Sequence, residues 1–406
     1  MAGALRVRNA IPPRWMEAMG DALRVLMVCP QFRPMMGGYE RAAERLGIEL
    51  TRRGHQVTVV TERRERAWPR TENIQGLEVR RLTCWNRRRL QTVSGILFLA
   101  RYLLSHARQF DLIHVHQYGW PSTVAIVLGR MLGRPVVLKL TNTGPQGIRA
   151  VLDLLPGTAF HVRQHRRLSA CIATSARARE EIVELGLDAA RVHLIPNGLD
   201  IRAFEPVSAK ARSEARRELG LGDGPLAITV CRMRPEKNLS LLLEAWQRVQ
   251  SRLPAARLAI VGDGDGMAGL KSLAKNLDLG PGLLLPGASS DPRAWYAAAD
   301  LYLLSSTNEG LSNSLMEALS CGLPMVSTRV SGSEDVVAAA DIGLLVPLDD
   351  APALADAATE MLGAPERLEA CGVRARAYAE AHFSMSSVAD RVEGLYASLA
   401  GGGARP

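Results

Sequence analysis

Two glutamates, Glu309 and Glu317, bracket the polar run Gly310-Leu311-Ser312-Asn313-Ser314. An apolar stretch ahead of them, Leu301–Ser305, reads as a strand, and Ser312, Asn313 and Ser314 open an amphipathic helix behind. The first amides of a helix have no intrahelical acceptor and carry the positive end of its dipole, so the natural guest of such a turn is an anion. Carboxylates beside an anion accept hydrogen bonds from hydroxyls, which points to a guest both anionic and hydroxyl-rich, such as a sugar phosphate. Alone, the stretch is also consistent with an ordinary capped helix and two solvated glutamates.

Arg232 and Lys237 follow a second strand-like run, Leu226–Val230, and precede a helix. Only five of the fifty basic residues are lysine, so Lys237 stands out as a point charge suited to phosphate, with Arg232 beside it. Gly37 and Gly38 sit between the first strand, Leu23–Cys29, and the helix Tyr39–Arg52, where backbone can approach a ligand closely or simply turn. Gly264, Gly266 and Gly269 satisfy the spacing of a dinucleotide fingerprint. Asp263 and Asp265 would repel a pyrophosphate there, so the expectation is a glycine-rich loop lining a cleft. His114 and His116 share one face of a strand, at a spacing two metal ligands could use. With no third ligand nearby in sequence, they read as strand-end histidines that bond substrate or are buried, and no metal is expected.

The elements that must position these residues alternate throughout. Strands read at 23–29, 56–61, 77–82, 112–116, 135–140, 170–174 and 192–195, then, after a charged helix at 208–219 and a break at 220–225, at 226–230, 257–261, 283–285, 301–304, 324–328 and 343–346. Strand and helix in strict alternation mark parallel α/β sheets, whose ligands sit at the carboxyl ends of the strands. The expected organisation is a tail over 1–20, an N-terminal domain over 21–205, a C-terminal domain over 206–385, a last helix over 386–400 and a tail over 401–406.

Length, 406 residues, suits two domains, and 47% apolar with 22% charged residues indicates a globular chain. No apolar run approaches the roughly 20 residues of a membrane span, and the first twenty residues lack the apolar core of a signal peptide. Six scattered cysteines without a C-x-x-C pair fit free thiols in a reducing cytoplasm. Nine arginines between Arg63 and Arg89 supply much of the net charge of +9, which favours acidic partners. Aromatic residues, 5% of the chain, form no stacking platform, so nucleic acid is not an expected partner. The apolar helix expected at 91–106, preceded by Arg87-Arg88-Arg89, reads either as a core helix with a solvated start or as one lying peripherally on an anionic membrane.

Taken together, Gly37-Gly38, Ile195-Pro-Asn-Gly-Leu-Asp200, Arg232-Met-Arg-Pro-Glu-Lys237-Asn238, Val261-Gly-Asp-Gly264 and Glu309-Gly-Leu-Ser-Asn-Ser-Leu-Met-Glu317 resemble the motifs of retaining GT-B glycosyltransferases of family GT4, in order and spacing. Cys321-Gly-Leu-Pro-Met-Val-Ser-Thr328 and Gly343–Val346 extend the match, which covers residues 23 to 385.

The resemblance implies an α/β GT-B fold, two Rossmann-like doubly wound domains facing a central cleft. It further implies transfer of a sugar, with retention, from a UDP- or GDP-sugar to a glycan, lipid-linked or small-molecule acceptor, with no metal or other cofactor. By position Arg232 and Lys237 neutralise the diphosphate, Glu309 holds sugar hydroxyls and Glu317 the ribose. The amides of Leu311 to Ser314 support phosphate, Gly37, Gly38, Gly264 and Gly310 line the donor site, and the last helix crosses back onto the first domain. Where many relatives carry a histidine near the reacting sugar, this chain reads Lys139-Leu-Thr141-Asn142, so Lys139, Thr141 or Asn142, with His114 and His116, are the expected sugar or acceptor contacts. A nucleotide-sugar epimerase of the same fold and a non-catalytic nucleotide-sugar-binding protein are the competing readings.

Overall fold

The structure is a computed structural model that describes residues 22–35, 37–85, 88–141, 143, 144 and 147–401. The two expected tails, apart from Gly401, and Asn142 lie outside these residues. The first sheet contains β1 (Arg24–Val28), β2 (Gln56–Arg63), β3 (Thr71–Ile74), β4 (Leu77–Thr83), β5 (Leu112–His116), β6 (Val136–Leu140), β7 (Ala170–Ala173) and β8 (Val192–Leu194), in the order β3-β4-β2-β1-β5-β6-β7-β8. The second contains β9 (Leu226–Val230), β10 (Arg257–Val261), β11 (Leu283–Gly287), β12 (Leu301–Leu304), β13 (Met325–Thr328) and β14 (Gly343–Val346), in the order β11-β10-β9-β12-β13-β14. The second sheet is parallel throughout. These are the two doubly wound sheets expected from the alternating pattern.

One strand escapes that pattern. β3 runs antiparallel to β4 through the turn Gln75-Gly76, where both residues have positive φ, 51° and 89°, and the Gly76 amide donates to Asn73 Oδ1 at 2.9 Å. Positive φ at both turn positions is the geometry whose twist matches a hairpin, and it is tolerated because the second is glycine. The segment Thr71-Glu-Asn-Ile is polar and half exposed, so it shows no buried-strand signal.

Each sheet is covered on both faces. One face of the first packs on the helices Arg88–His106, Trp120–Met131 and Ile148–Leu154, with Leu99, Leu103, Ile126 and Leu152 in the core. The other packs on the helix Gly38–Arg52 and on Val388, Val392, Leu395 and Tyr396 of the last helix, Met385–Gly401. The chain therefore returns from the second domain to complete the core of the first. The crossing is fixed where Leu199 and Ser384 form a parallel bridge, the Leu199 amide donating to Phe383 O at 2.8 Å and the Met385 amide to Leu199 O at 3.0 Å. Arg53 then holds Asp390 at 2.5 Å and Glu393 at 2.8 Å on the returning helix.

In both sheets the order reverses beside the first strand, between β1 and β5 in one and between β9 and β12 in the other. Loops leaving the carboxyl ends of such neighbours diverge to opposite faces and open a crevice. Gly37-Gly38 leaves β1, Lys237 leaves β9 and Glu309 leaves β12, so the residues singled out by chemistry are those at the two crevices.

Candidate functional site

Neighbouring strands bring Lys237 and Glu309 together. Lys237 ends the short turn Pro235–Lys237 after β9, and its ammonium is hydrogen-bonded and ion-paired to Glu309 Oε2. The backbones are locked as well: Ser305 Oγ donates to Lys237 O at 2.8 Å and the Thr307 amide to Glu236 O at 2.9 Å. Ser306 Oγ donates to the same Glu309 oxygen at 3.2 Å, and Thr328 Oγ1 at the end of β13 donates to Ser306 O at 2.6 Å. Arg232, on the segment between β9 and that turn, is exposed and among the described residues pairs with no carboxylate. A cation held by a carboxylate thus stands beside a second, solvated cation.

The helix Asn313–Ser320 starts next to this pair. Ser312 occupies the cap position with extended backbone, yet its side chain accepts no amide of the first turn. Its hydroxyl instead bonds Ser314 Oγ at 2.9 Å, which in turn bonds the Tyr302 hydroxyl at 2.8 Å. A serine at the cap normally satisfies one of the orphan amides; here it is turned away, so an external anion is left that role. Gly310, Leu311 and Ser312 form the turn between Glu309 and this helix, of which Asn313 and Ser314 are the first two residues.

Glu317, one turn further on, receives the Tyr296 hydroxyl at 3.1 Å, and the same hydroxyl reaches Ser314 O at 3.3 Å. Burial raises the Glu317 carboxyl above the usual range, opposed by the Tyr296 bond and by the positive charges of Arg45 and Arg41. Those arginines sit on the helix Gly38–Arg52 of the other domain, so Glu317 looks across the cleft.

Gly38 also faces the C-terminal site: a Cβ added there would meet Asn313 Nδ2 at 3.5 Å. The glycine loop is pinned by the buried Glu40, whose Oε2 accepts the Gly37 amide at 2.8 Å. A second seam joins Asn308 Nδ2 to Thr143 O at 3.0 Å, and a Cβ on Gly310 would come within 2.9 Å of Thr141 O. Gly332, at the start of the helix Ser331–Ala340, closes the Glu309 turn from behind, since a Cβ on it would lie 2.3 Å from Gly310 O.

Other expected residues are placed elsewhere. Gly264 packs on Met233, and a Cβ on the neighbouring Gly262, which has φ +144°, would overlap Cys231 O at 1.8 Å. These glycines seat the β10 loop against the Cys231–Met233 segment behind Arg232, a backbone-packing role that the dinucleotide-like spacing does not reveal. His114 and His116 are buried under the returning helix, their rings 4.1 Å apart, with His114 Nδ1 2.6 Å from the Tyr396 hydroxyl. Burial pushes His114 down to about 3 and His116 well below the ordinary histidine range. Lys139, paired in register with His116, is 2% exposed, and burial lowers its ammonium to about 8. Tyr296, Tyr302, Arg41, Arg45 and Asn308 were not singled out from sequence. Of these only Arg41 and Arg45 left a signal, two cations four residues apart on the helix after Gly37-Gly38.

The comparisons with known proteins agree with this geometry. Residues 36–203 match the family Glycosyltransferase Family 4, and residues 211–378 match Glycosyl transferases group 1. The D-inositol 3-phosphate glycosyltransferase 2 of Catenulispora acidiphila is 30% identical over 305 residues, 71% of this chain and 70% of that one. The N-acetyl-alpha-D-glucosaminyl L-malate synthase of Bacillus anthracis is 26% identical over 375 residues, 89% and 94% of the two chains. Among solved structures, HepE of Anabaena in complex with UDP superposes with a TM-score of 0.76 at 20% identity, covering 93% of this chain and all of that one. With its two crevices face to face, a lysine on one carboxylate beside a solvated arginine, and an uncapped helix start between two glutamates, the chain belongs to the GT4 glycosyltransferases of GT-B fold and is a glycosyltransferase that uses nucleotide sugars.

Proposed function

We propose that the chain transfers a hexosyl group, with retention and without a metal ion, from a UDP- or GDP-sugar to a hydroxyl of an anionic acceptor, either a small molecule or a lipid-linked one. The observation that carries this reading is the convergence of Lys237, Glu309 and the uncapped start of Asn313–Ser320 at the β9/β12 crevice, opposite Gly38. In the reaction the bond from the anomeric carbon to the β-phosphate oxygen breaks and its electron pair stays on the diphosphate. Arg232, Lys237 and the helix amides stabilise that charge from fixed positions, which is worth more than the same groups reorganising in water. Glu309 holds sugar hydroxyls and Glu317 those of the ribose. The acceptor oxygen adds from the face the diphosphate leaves, and its proton passes to the departing phosphate. Gly264 and Gly310 serve as donor-site glycines, the first by seating the Arg232 turn. Lys139, at the end of β6, and Thr141 and Asn142, which follow it in sequence, are the candidates for sugar or acceptor contacts.

An anionic acceptor is supported by the relatives, named for L-malate, D-inositol 3-phosphate and phosphatidylinositol monomannoside. UDP is the nucleotide named for the HepE structures, and GDP-mannose for the phosphatidylinositol mannosyltransferases. Six free cysteines, five of them buried, fit work in a reducing cytoplasm. The test is a thermal-shift panel of UDP, GDP, ADP and NAD, followed by turnover of the stabilising nucleotide's sugars with and without anionic polyols, in EDTA. An α-linked product from an α-linked donor, formed at full rate in EDTA, supports the reading. An inverted product, a metal requirement, or rearranged sugar released without acceptor would each overturn it.

A further inference from the structure

The helix Arg88–His106 buries Leu99, Tyr102 and Leu103 against the first sheet and turns another row of large apolar side chains outward. Leu90, Val93, Leu97 and Leu104 are 42–57% exposed, and their spacing of three, seven and fourteen residues from Leu90 places them on one helical stripe. Trp85, 49% exposed, is held at the head of the stripe by its amide on Ser94 Oγ at 2.9 Å. Arg101 and Arg108 are exposed along the same line. The second domain shows only Leu348 and Val373 as comparably exposed apolar side chains among its described residues.

The charge around the stripe is one-sided. Of the eleven arginines and lysines in residues 79–152, Arg80, Arg81 and Arg149 pair with Glu78, Glu72 and Glu184 and Lys139 is buried, while Arg101, Arg108, Arg130 and Arg134 ion-pair with no carboxylate among the described residues, and the segment holds a single acid, Asp111. That one acid is engaged by Arg24 at 2.6 Å, and the nearest carboxylate at the helix head, Glu62, is taken by Arg64 and Gln91 at 3.1 and 3.0 Å. A second copy of this face would be repelled by its own charge, and a soluble polyanion would have no use for the leucines. Apolar side chains that insert, tryptophan at the head and cations without acids are what an anionic bilayer surface binds.

We propose that this face of the first domain docks on an anionic membrane surface through Trp85, Leu90, Val93, Leu97 and Leu104, with Arg101 and Arg108 on acidic headgroups. The docking places the donor cleft at the membrane. β4 is parallel to β2, and β2 to β1, so the loop from β4 into the helix lies on the same sheet edge as Gly37-Gly38. Arg64 Nη1 also bonds Gln31 Oε1 at 3.4 Å, tying the helix head to the loop that carries those glycines. A lipid-linked acceptor standing in that surface would meet the cleft edge-on. The docking is independent of the transfer chemistry, and vesicle binding without donor tests it alone.

The experiment is flotation of the full chain with vesicles of phosphatidylglycerol and phosphatidylcholine against phosphatidylcholine alone. The chain should float with the anionic vesicles only, less so as salt is raised, and Leu97→Glu with Leu104→Glu should cut partitioning about tenfold or more. UDP thermal shift and melting should stay as in the parent, and Leu348→Glu on the second domain should bind as the parent does. Should the double variant fold poorly, Arg101→Glu reads the same face. No flotation on anionic vesicles, undiminished binding by the double variant, or an equal loss from Leu348→Glu would overturn the proposal. Loss in Arg101→Glu with full binding by Leu97→Glu, Leu104→Glu would assign the face to a soluble polyanion and overturn it too.

Discussion

The ammonium of Lys237 rests on the carboxylate of Glu309, 72 residues away in sequence and one strand away in the sheet. Without donor each compensates the other's partial burial, so neither has to wait as a lone charge in the crevice. In the proposed reaction a diphosphate beside Arg232 would give the lysine a second anionic partner, and sugar hydroxyls would give the glutamate second donors. The pair is therefore a preorganised unit whose members are expected to behave non-additively.

Replacing Glu309 with Gln keeps the shape and removes the charge that holds Lys237. UDP or GDP binding should persist or tighten, while kcat/KM for transfer falls by about 10²–10³, the range for losing one fixed electrostatic partner of the transition state. Lys237→Ala should weaken nucleoside-diphosphate binding by roughly 1–3 kcal/mol and leave Glu309 without its cation. Calorimetry on both singles and the double closes the cycle: a coupling near zero would mean the contact has no part in donor binding.

Three glycines should answer alanine differently. Gly262→Ala forces a Cβ onto Cys231 O at 1.8 Å with φ at +144°, and should destabilise the second domain by several kcal/mol, on the order of the large backbone-strain cases. Gly332→Ala meets Gly310 O at 2.3 Å and should displace the Glu309 turn, lowering activity more than melting temperature. Gly269, inside the helix Met267–Asn276 with open space around it, should tolerate alanine with a gain of about 0.5–1 kcal/mol. Urea unfolding and turnover of the three variants check the order; a loss of nucleotide binding in Gly269→Ala would revive the dinucleotide reading of that loop.

What was legible follows a physical line. Buried parallel strands announce themselves as short apolar runs, so thirteen of the fourteen strands could be read and only β3, a polar edge hairpin, could not. Site residues were legible where the backbone does the work, at Gly37-Gly38 and at the helix start after Glu309, because turn and cap chemistry is local. Tyr296 and Tyr302 were not, since a tyrosine whose hydroxyl meets Glu317 or Ser314 looks in sequence like any other core aromatic. Likewise His114 and His116 advertise a shared face, but which helix covers that face is a long-range fact: Tyr396 lies 282 residues away from His114.

Acid should unfold the chain early. His114, His116 and His165 are held neutral by burial, His114 down to about 3 and His165 to about 4. An unfolded histidine titrates near 6.5, so below that pH the unfolded chain binds protons the folded one refuses, and stability, full above about 6.5, is lost as pH falls. At pH 5 each of the three should cost about 2 kcal/mol relative to pH 7, whereas the raised carboxyls of Glu317 and Asp335 act in the opposite direction. Urea midpoints from pH 7 to 5 measure the slope, and His114→Gln should flatten it by its share. Tyr396→Phe should cost about 1 kcal/mol at pH 7 by leaving His114 without its partner. A flat profile over this range would contradict neutral buried histidines.

Lys139 carries the opposite proton problem and tests the acceptor side of the cleft. Its ammonium is buried beside His116, pushed down to about 8, and among the described residues no carboxylate pairs with it. Below that pH the fold must hold a buried charge; between about 8 and 10.5 the unfolded chain binds the extra proton, so the penalty fades as pH rises and is gone above 10.5. Lys139→Met should therefore stabilise the chain at pH 7 by on the order of 1–3 kcal/mol, with the gain shrinking toward pH 10. A costly group at the strand end nearest Thr141 and Gly310 is kept for function if the same variant, with an unchanged UDP thermal shift, loses tenfold or more in kcat/KM. A Met variant that is both more stable and fully active would leave the lysine no part in transfer.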